Sequence, residues 1–578
     1  MNGVAAILYA VASAVLAGIA LAYACGGLDP MLAWAALGIG VAVGACSLRG
    51  RKTLPQPALG GWEWAVVALF ALISLRAFLW LVFTDGDEIK VLSPNNLGDL
   101  SLHLTYIRHL ASGVPFWPDN PIFTGGKLTY PVGIDLLNAL LALIGVDVLR
   151  GLVWVGLAGA ALTGAALWRW GRAFTLLGFL CNGGVLGFLV FIEWDFRDFQ
   201  AEAAWKSIPL ALLVTQRGLL FALPAGLLLL SSWRSRHFGA GDAWRLPLWG
   251  EVLLYASMPV FHLHSFIFLS FVLGCWFLIH EPSRKRLLIF VGAALAPATL
   301  LTLLVTGMLK GASVIGWKPG WMQEKPGPVE FVKFWFTNFG LLPVAVAALC
   351  WMLWRRGLPR WASAMTFPAL LMFLICCFVK FAPWEWDNTK IMLWSYLAVL
   401  PFIWEFLLAQ RPLWMRALAI FALYWSGFAS LLGGIDQTHT GHEIAFRSDL
   451  DGVGAAVRGI PVSERFVGCP TYNHPLLLVG RKMAMGYTGH AWSHGLPWGE
   501  AARQVDELMG GADEWRILAA DLDVRYLFWG REEVAKYPAS TQPWKSASTR
   551  VAAGEWGEIY DLKTPPSPIL EEDAEPAQ

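Results

Sequence analysis

Residues 62–103 read WEWAVVALFALISLRAFLWLVFTDGDEIKVLSPNNLGDLSLH. The first half, Trp62–Phe83, is an apolar run interrupted only by Glu63, Ser74 and Arg76. At ~1.5 Å per residue it is long enough to cross the ~30 Å hydrocarbon core of a bilayer. The second half turns acidic at once, with Asp85, Asp87, Glu88 and Asp99. The loop that starts there continues to residue 131, too long for a simple connector. A carboxylate at the end of a spanning helix can serve as general base toward a hydroxyl, or hold a divalent cation against a phosphate. The plainer alternative is that these acids solvate a loop and cap helices.

Working outward, comparable apolar stretches fall near 4–24, 31–48, 151–168, 173–192, 207–231, 249–261, 262–280, 287–306, 338–354, 362–381, 391–409 and 414–433. With 62–83 they predict about thirteen spans in a polytopic α-helical membrane protein. Only 15% of the 578 residues are charged and 56% are hydrophobic, where a soluble domain carries about a quarter charged residues. Val4–Ala24 ends in an A-x-A pattern like a signal peptide, but no Lys or Arg precedes it.

Basic clusters lie at Arg49/Arg51/Lys52, Arg169/Arg172, Arg234/Arg236/Arg245, Arg284/Lys285/Arg286, Arg355/Arg356/Arg360 and Arg411/Arg416. One orientation puts all of them on the cytoplasmic side of a bacterial inner membrane, with the N-terminus inside and the C-terminus outside. It requires that Val132–Ile144, short and carrying Asp135 and Asn138, does not cross. The polar segments 84–131, 193–206, 261–265, 311–337 and 383–390 then share the outer face with the tail.

The chain divides at 433/434. Residues 1–433 form the membrane part, and 434–578 lack long apolar runs. Short runs at Arg465–Gly468, Leu476–Gly480, Arg525–Gly530 and Gly557–Leu562, with a helical stretch near Glu500–Met509, predict an extracytoplasmic α/β domain. Its last dozen residues, acidic and Pro-rich, read as disordered. Net charge is +1 and the eight cysteines show no metal-ligand spacing. No P-loop or Rossmann glycine motif is present, so nothing implies nucleotide or nucleic-acid binding.

Beyond Asp85, Asp87 and Asp99, other polar groups are candidates for binding. Asp99 and His103 are four apart and share one helix face. Asp195 and Asp198 lie in Glu193–Asp198, which reads equally well as an interfacial aromatic belt with solvated acids. Arg217 is deep in a predicted span, where a charge faces a cavity or a partner; it could pair with phosphate or form an interhelical salt bridge. Lys380 and Lys390 flank Asp387-Asn388 and are phosphate candidates, or snorkelling lysines. His262 and His264 diverge on a helix but could both face a cavity from a turn. Arg481, Tyr487 and His490 belong to a Gly- and aromatic-rich run in the tail that suits either sugar contact or tight turns.

Asp99, His103, Gly113, Tyr130-Pro131 and Leu136–Leu140 together resemble the opening loop of GT-C glycosyltransferases, which include aminoarabinose transferases and protein O-mannosyltransferases. A wider resemblance links the chain to a group of bacterial membrane proteins through Asp85-Gly86, Gly98–His103, Gln216–Gly218, Pro259–His264, Trp386–Lys390 and Gly480–Gly495. Two spans precede the helix leading into the acidic loop, which the best-known enzymes of the class lack. The resemblance implies that Asp99 lies at the catalytic centre, with Asp85 and Asp87 as neighbouring catalytic or metal ligands for Mg or Mn. It implies an inverting transferase moving a sugar from a polyprenyl-phosphate donor to a glycan, lipid or protein acceptor at the outer face, as in cell-envelope glycan synthesis. Its rivals are a transporter or flippase, which often shows paired interrupted helices, and a non-catalytic assembly protein for a lipid-linked glycan.

Overall fold

Inside a bilayer every backbone N–H and C=O must be satisfied within the chain, so the apolar runs become helices. The computed structural model describes residues 1–49, 59–240, 244–308, 314–324, 327–355, 357–436 and 440–565. Arg51, Lys52, Arg356 and the acidic tail from residue 567 lie outside the described residues.

The chain opens with α1 (Asn2–Cys25), α2 (Pro30–Leu48) and α3 (Gly61–Leu79), then a hairpin of β1 (Phe83–Asp85) and β2 (Glu88–Val91). Next come α4 (Leu97–Ala111), α5 (Gly133–Leu143), α6 (Val148–Leu180), the short α7 (Val190–Glu193) and α8 (Leu219–Phe238). They are followed by α9 (Leu248–Phe261), α10 (Leu263–Ile279), α11 (Arg284–Val305), β3 (Gly316–Trp317), α12 (Pro328–Phe339) and α13 (Leu342–Arg355). The membrane part closes with α14 (Arg360–Cys376), β4 (Val379–Lys380), α15 (Thr389–Phe402) and α16 (Leu413–Asp436).

Among the described residues seven helices are long and apolar enough to cross a bilayer alone, and α12 with α13, bent by 96°, makes up to eight. The protein is therefore multi-pass. Other expected spans fall on the shorter apolar helices α9, α10 and α14 or on broken ones. The segment 173–192 is broken, α6 ending at Leu180 and α7 beginning at Val190. Between them Gly184 passes against the backbone of Thr337, where a Cβ would lie 1.7 Å from its carbonyl oxygen. As expected, Val132–Ile144 forms only a short helix, α5.

Contacts sort the helix ends into two groups. Glu63 at the start of α3 pairs with Arg172 at 2.9 Å, where Gly171 and Arg172 leave helical dihedrals and split α6 into two limbs. Arg234 lies over Trp170 and Trp361, and Arg169 over Trp244. Arg236 pairs with Glu251 at 3.2 Å and accepts from Arg286 through its carbonyl. The starts of α3, α9 and α11, the end of α8 and the break in α6 thus gather at one basic end. The opposite ends of these helices, with the start of α15, gather at the other.

The tail docks on that second end. Strand β5 (His442–Phe446) adds to β2, giving a sheet ordered β1-β2-β5. It is followed by α17 (Arg447–Ala456), β6 (Arg465–Val467), α18 (Pro475–Leu478), β7 (Lys482–Met483), α19 (Thr488–Ser493) and α20 (Trp498–Gly510). With β8 (Tyr526–Gly530), β9 (Thr549–Gly554) and β10 (Gly557–Asp561) they build a five-stranded sheet ordered β7-β6-β8-β10-β9. Strand β6 runs parallel to β7 and β8, while β10 runs antiparallel to β8 and β9. The tail is the expected α/β domain, with one difference. Leu476–Gly480, expected as a short extended run, holds the helical turn α18, because Pro475 presets its first position and His474 Nδ1 accepts from Leu476 N–H at 3.2 Å.

The join between tail and bundle is tight at Gly480, which has φ +87° and where a Cβ would meet Arg108 backbone at 2.8 Å. Its carbonyl accepts from His109 of α4 at 3.1 Å. Gly480→Ala is expected to destabilise the protein by about 1–3 kcal/mol through backbone strain and lost docking. A lowered melting temperature of the purified protein in detergent, beside an unchanged Gly459→Ala control, would show it.

Candidate functional site

Helix α4 lies between the bundle and the tail, and its first turn faces a cavity of about 1460 Å³. Asp99 projects from that turn into the cavity, where the N-terminal helix dipole favours an anion. His262 and His264 line it from the break between α9 and α10, Asp387 and Lys390 from the entry to α15, and His490 and His494 from α19 and its end. Tyr130, Trp384 and Trp386 complete the polar and aromatic wall. Phe266, Ile267, Leu303 and Leu304 form an apolar flank along α10 and α11.

Burial raises the Asp99 carboxyl above the usual aspartate range, and the nearby Asp387 adds to this. The charges of His103 and Lys390 oppose that rise without cancelling it. Lys390 Nζ meets Asp387 at 3.1 Å, both side chains being largely buried. Burial lowers the imidazoles of His490 to about 4 and His494 to about 3, reinforced by neighbouring positive charge, so both are neutral at pH 7.

The backbone at His262 is extended (φ −160°, ψ 100°), which lets both His262 and His264 face the cavity although they are two apart. His262 Nδ1 accepts from Ser265 N–H at 3.2 Å and contacts Ser265 Oγ at 2.8 Å. The ring proton is thus left on Nε2, which has no hydrogen-bond partner among the described residues. His264 Nε2 and His494 Nδ1 are also unpartnered.

Several expected site residues lie outside the cavity wall. His103 sits behind Asp99, with its Nδ1 2.9 Å from both carboxylate oxygens of buried Asp135. Arg217 is buried and donates to Leu152 O at 3.2 Å, while its Nε and Nη1 have no partner among the described residues. It lies beside the cavity residues Gln216 and Gly218 rather than on the wall. Asn388 fixes the loop before α15, donating to the carbonyls of Cys376 and Val379 and accepting from Phe381 N–H. Lys380 on β4 donates to Pro383 O at 3.2 Å.

Asp85 pairs with Lys90 at 2.8 Å in the β1–β2 hairpin, and Asp87 accepts from the backbone N–H and hydroxyl of Ser448 at the start of α17. Both belong to the joint between the first loop and the tail. Asp195 is exposed, and Asp198 caps a 3-10 turn by accepting from Gln200 N–H. Arg481 donates to the carbonyls of Val457 and Ile460, and Tyr487 packs edge-on to His490 at the surface.

Sequence reasoning missed Tyr130, Trp384, Trp386 and His494 as wall residues. A signal was present for one of them, because His490 and His494 are four apart and share a helix face. Tyr130 is held between rings, 4.9 Å from His494 and 6.0 Å from His103. Among the described residues no three His, Cys, Asp or Glu side chains assemble as a cation cage. The carboxylates that face the cavity are Asp99 and Asp387, a set suited to a Mg-type ion only when a phosphate completes it.

No protein-family model matches the chain, and a comparison with curated proteins finds no match. Among solved structures, the chain is similar to the Archaeoglobus fulgidus oligosaccharyltransferase tethered with an acceptor peptide. The two share 11% identity over 85% of this chain and 72% of that one, with a TM-score of 0.44. It is also similar to ArnT from Cupriavidus metallidurans in the apo state, at 12% identity over 87% and 98% of the two chains, TM-score 0.42. A third likeness is to archaeal oligosaccharyltransferase AglB from Archaeoglobus fulgidus in complex with an inhibitory peptide and a dolichol-phosphate, at 10% identity over 87% and 74%, TM-score 0.41.

The buried pair His103–Asp135 is expected to matter for folding, whereas in Asp85–Lys90 the carboxylate is 64% exposed. Removing one partner of a buried pair costs about 3–5 kcal/mol, against ~0–1 kcal/mol for a surface pair. Asp135→Ala should therefore lower the melting temperature strongly and Asp85→Ala barely, both read by thermal unfolding in detergent.

Proposed function

We propose that the chain is a GT-C-type inverting glycosyltransferase, using a polyprenyl-phosphate sugar as donor. The observation that carries this reading is Asp99, a carboxylate with raised proton affinity in a cavity with one apolar flank. The flank formed by Phe266, Ile267, Leu303 and Leu304 suits the first units of a polyprenyl chain. Lys390, on the cavity wall beside Asp99 and Asp387, is the cation that would meet the phosphate, whereas Arg217 and Lys380 lie off the wall.

In the reaction, an acceptor hydroxyl attacks the anomeric carbon from the side opposite the phosphate. Its proton passes to Asp99, the sugar–phosphate C–O bond breaks, and polyprenyl phosphate leaves with the electron pair. Raised proton affinity makes the ionised form of Asp99 a stronger base. A divalent cation, where one is used, would be held by Asp99 and Asp387 and would offset phosphate charge. The basic helix ends would face the cytoplasm by the positive-inside rule, so the cavity and tail would open outside.

Asp99→Asn keeps the shape and removes the base. With radiolabelled polyprenyl-phosphate sugars and purified protein in lipid, transfer is expected to fall by about 10²–10⁴-fold; full retained activity would refute the assignment. The pH profile gives a second check. Activity needs ionised Asp99, so the rate should fall on acidification through a limb lying above the ordinary aspartate value of about 3.9. Lys390→Met removes a charge that favours the ionised form, so it should move the limb further up. A limb unmoved by Lys390→Met would count against Asp99 as its origin.

A further inference from the structure

At the water-facing rim of the cavity two tryptophans from distant parts of the chain meet. Trp384, from the loop before α15, and Trp492, from α19, have ring centroids 6.3 Å apart and planes tilted by 49°. The docking of the tail brings them together. Trp384 is stacked on Trp386 at 5.1 Å, and Trp386 is anchored by its Nε1 donating to Ala204 O at 2.9 Å. Trp384 and Trp492 nevertheless stay 36% and 44% exposed. Large aromatic faces held rigid and left in contact with water lose little conformational freedom on meeting a ligand.

Inward from this rim the wall offers uncharged hydrogen-bonding groups. His262 Nε2, His264 Nε2 and His494 Nδ1 have no partner among the described residues, and His262 is only 6% exposed. A buried polar atom left unpaired is costly, so such atoms in a cavity wall await water or ligand. A neutral imidazole presents one donor and one acceptor, the same complement that a hydroxyl needs. Charges close to these walls are already matched, Lys127 by Asp119 at 2.9 Å and Glu385 by Lys318 at 3.4 Å.

We propose that the acceptor is a saccharide, stacked on Trp384 and Trp492 and hydrogen-bonded through its hydroxyls to the free ring nitrogens of His494, His264 and His262. Sugar rings pair an apolar C–H face with a hydroxyl edge, and the rim and wall supply the matching surfaces in that order. The two indoles touch at a tilt of 49°, so they present adjoining aromatic faces on which a sugar ring can stack. The saccharide approaches from the tail side, opposite the apolar flank. This inference rests on the proposed transferase reading for the word acceptor only; the binding site stands on its own geometry.

The test is direct binding without donor, so that it does not depend on turnover. Full-length protein in lipid nanodiscs is titrated with soluble neutral and N-acetylated oligosaccharides, and separately with a serine-containing hexapeptide and a short-chain phosphatidylglycerol. Tryptophan fluorescence and calorimetry are the readouts. At least one saccharide class should bind, and Trp384→Ala or Trp492→Ala should weaken it about ten-fold, as loss of an aromatic contact worth ~1.4 kcal/mol requires. Trp492→Phe should keep most of the affinity. Melting temperatures within a degree or so of wild type would exclude misfolding at these exposed positions.

Absence of binding by every saccharide at millimolar concentration would overturn the proposal. So would binding indifferent to both tryptophans, or binding of the peptide or the lipid alone. Saccharide binding lost in the Trp variants, with no transfer by wild type, would keep this site and refute the transferase reading. Transfer to a peptide or lipid without saccharide binding would do the reverse.

Discussion

Helix α4 is nearly enclosed, and its polar side chains leave water along with its leucines. Ser101, His103, Thr105 and His109 are all buried. In a low-dielectric interior each must find a partner or cost a few kcal/mol. Ser101 and Thr105 donate back to the carbonyls of Leu97 and Ser101 within the helix. His103 reaches across to Asp135 of α5, and His109 to the carbonyl of Gly480 in the tail. These two longer bonds tie α5 and the tail to one short helix and fix the direction of its first turn. Asp99 points into the cavity because the turns behind it have no freedom to rotate.

The same enclosure sets the electrostatics of the cavity. Burial weakens the ionised form of Asp99 and the protonated forms of His490 and His494 alike. The wall therefore sorts into a charged patch, Asp99 with Asp387 and Lys390, and a neutral patch of imidazoles and indoles. Lys390 acts on both patches. Its positive charge favours ionised Asp99 and disfavours protonated His494. One cation thus opposes the effect of burial at Asp99 and adds to it at His494.

Much of the membrane part was legible because its signals are local. Apolar length predicts helices, and loop arginines predict which helix ends lie together, as Glu63–Arg172, Arg234–Trp170 and Arg286–Arg236 bear out. The broken helices were not legible, because the breaks, as at 181–185 where Gly184 packs on Thr337, fall within apolar runs that leave no periodic trace. Asp85, Asp87 and Asp99 look alike as sequence. What separates them is distant: Asp87 is engaged by Ser448, 361 residues downstream, whereas Asp99 faces a cavity completed by His490 and Asp387. Trp384 and Trp492 become neighbours only through docking of the tail.

That dependence on docking has a consequence for how the site is built. The bundle supplies the apolar flank, the charged residues and one pair of imidazoles; the tail supplies the other pair, with Trp492 at the rim. Without the tail, Asp99 and Lys390 would open to water, where their mutual influence would fall several-fold with the rise in effective dielectric. Strand β5 on β2, Asp87 at the start of α17 and His109 on Gly480 hold the tail at three separate points. The first loop contributes to every one of these points as well as to the cavity wall. Its length, which made it stand out in the sequence, goes with serving as cavity wall and as docking surface at once.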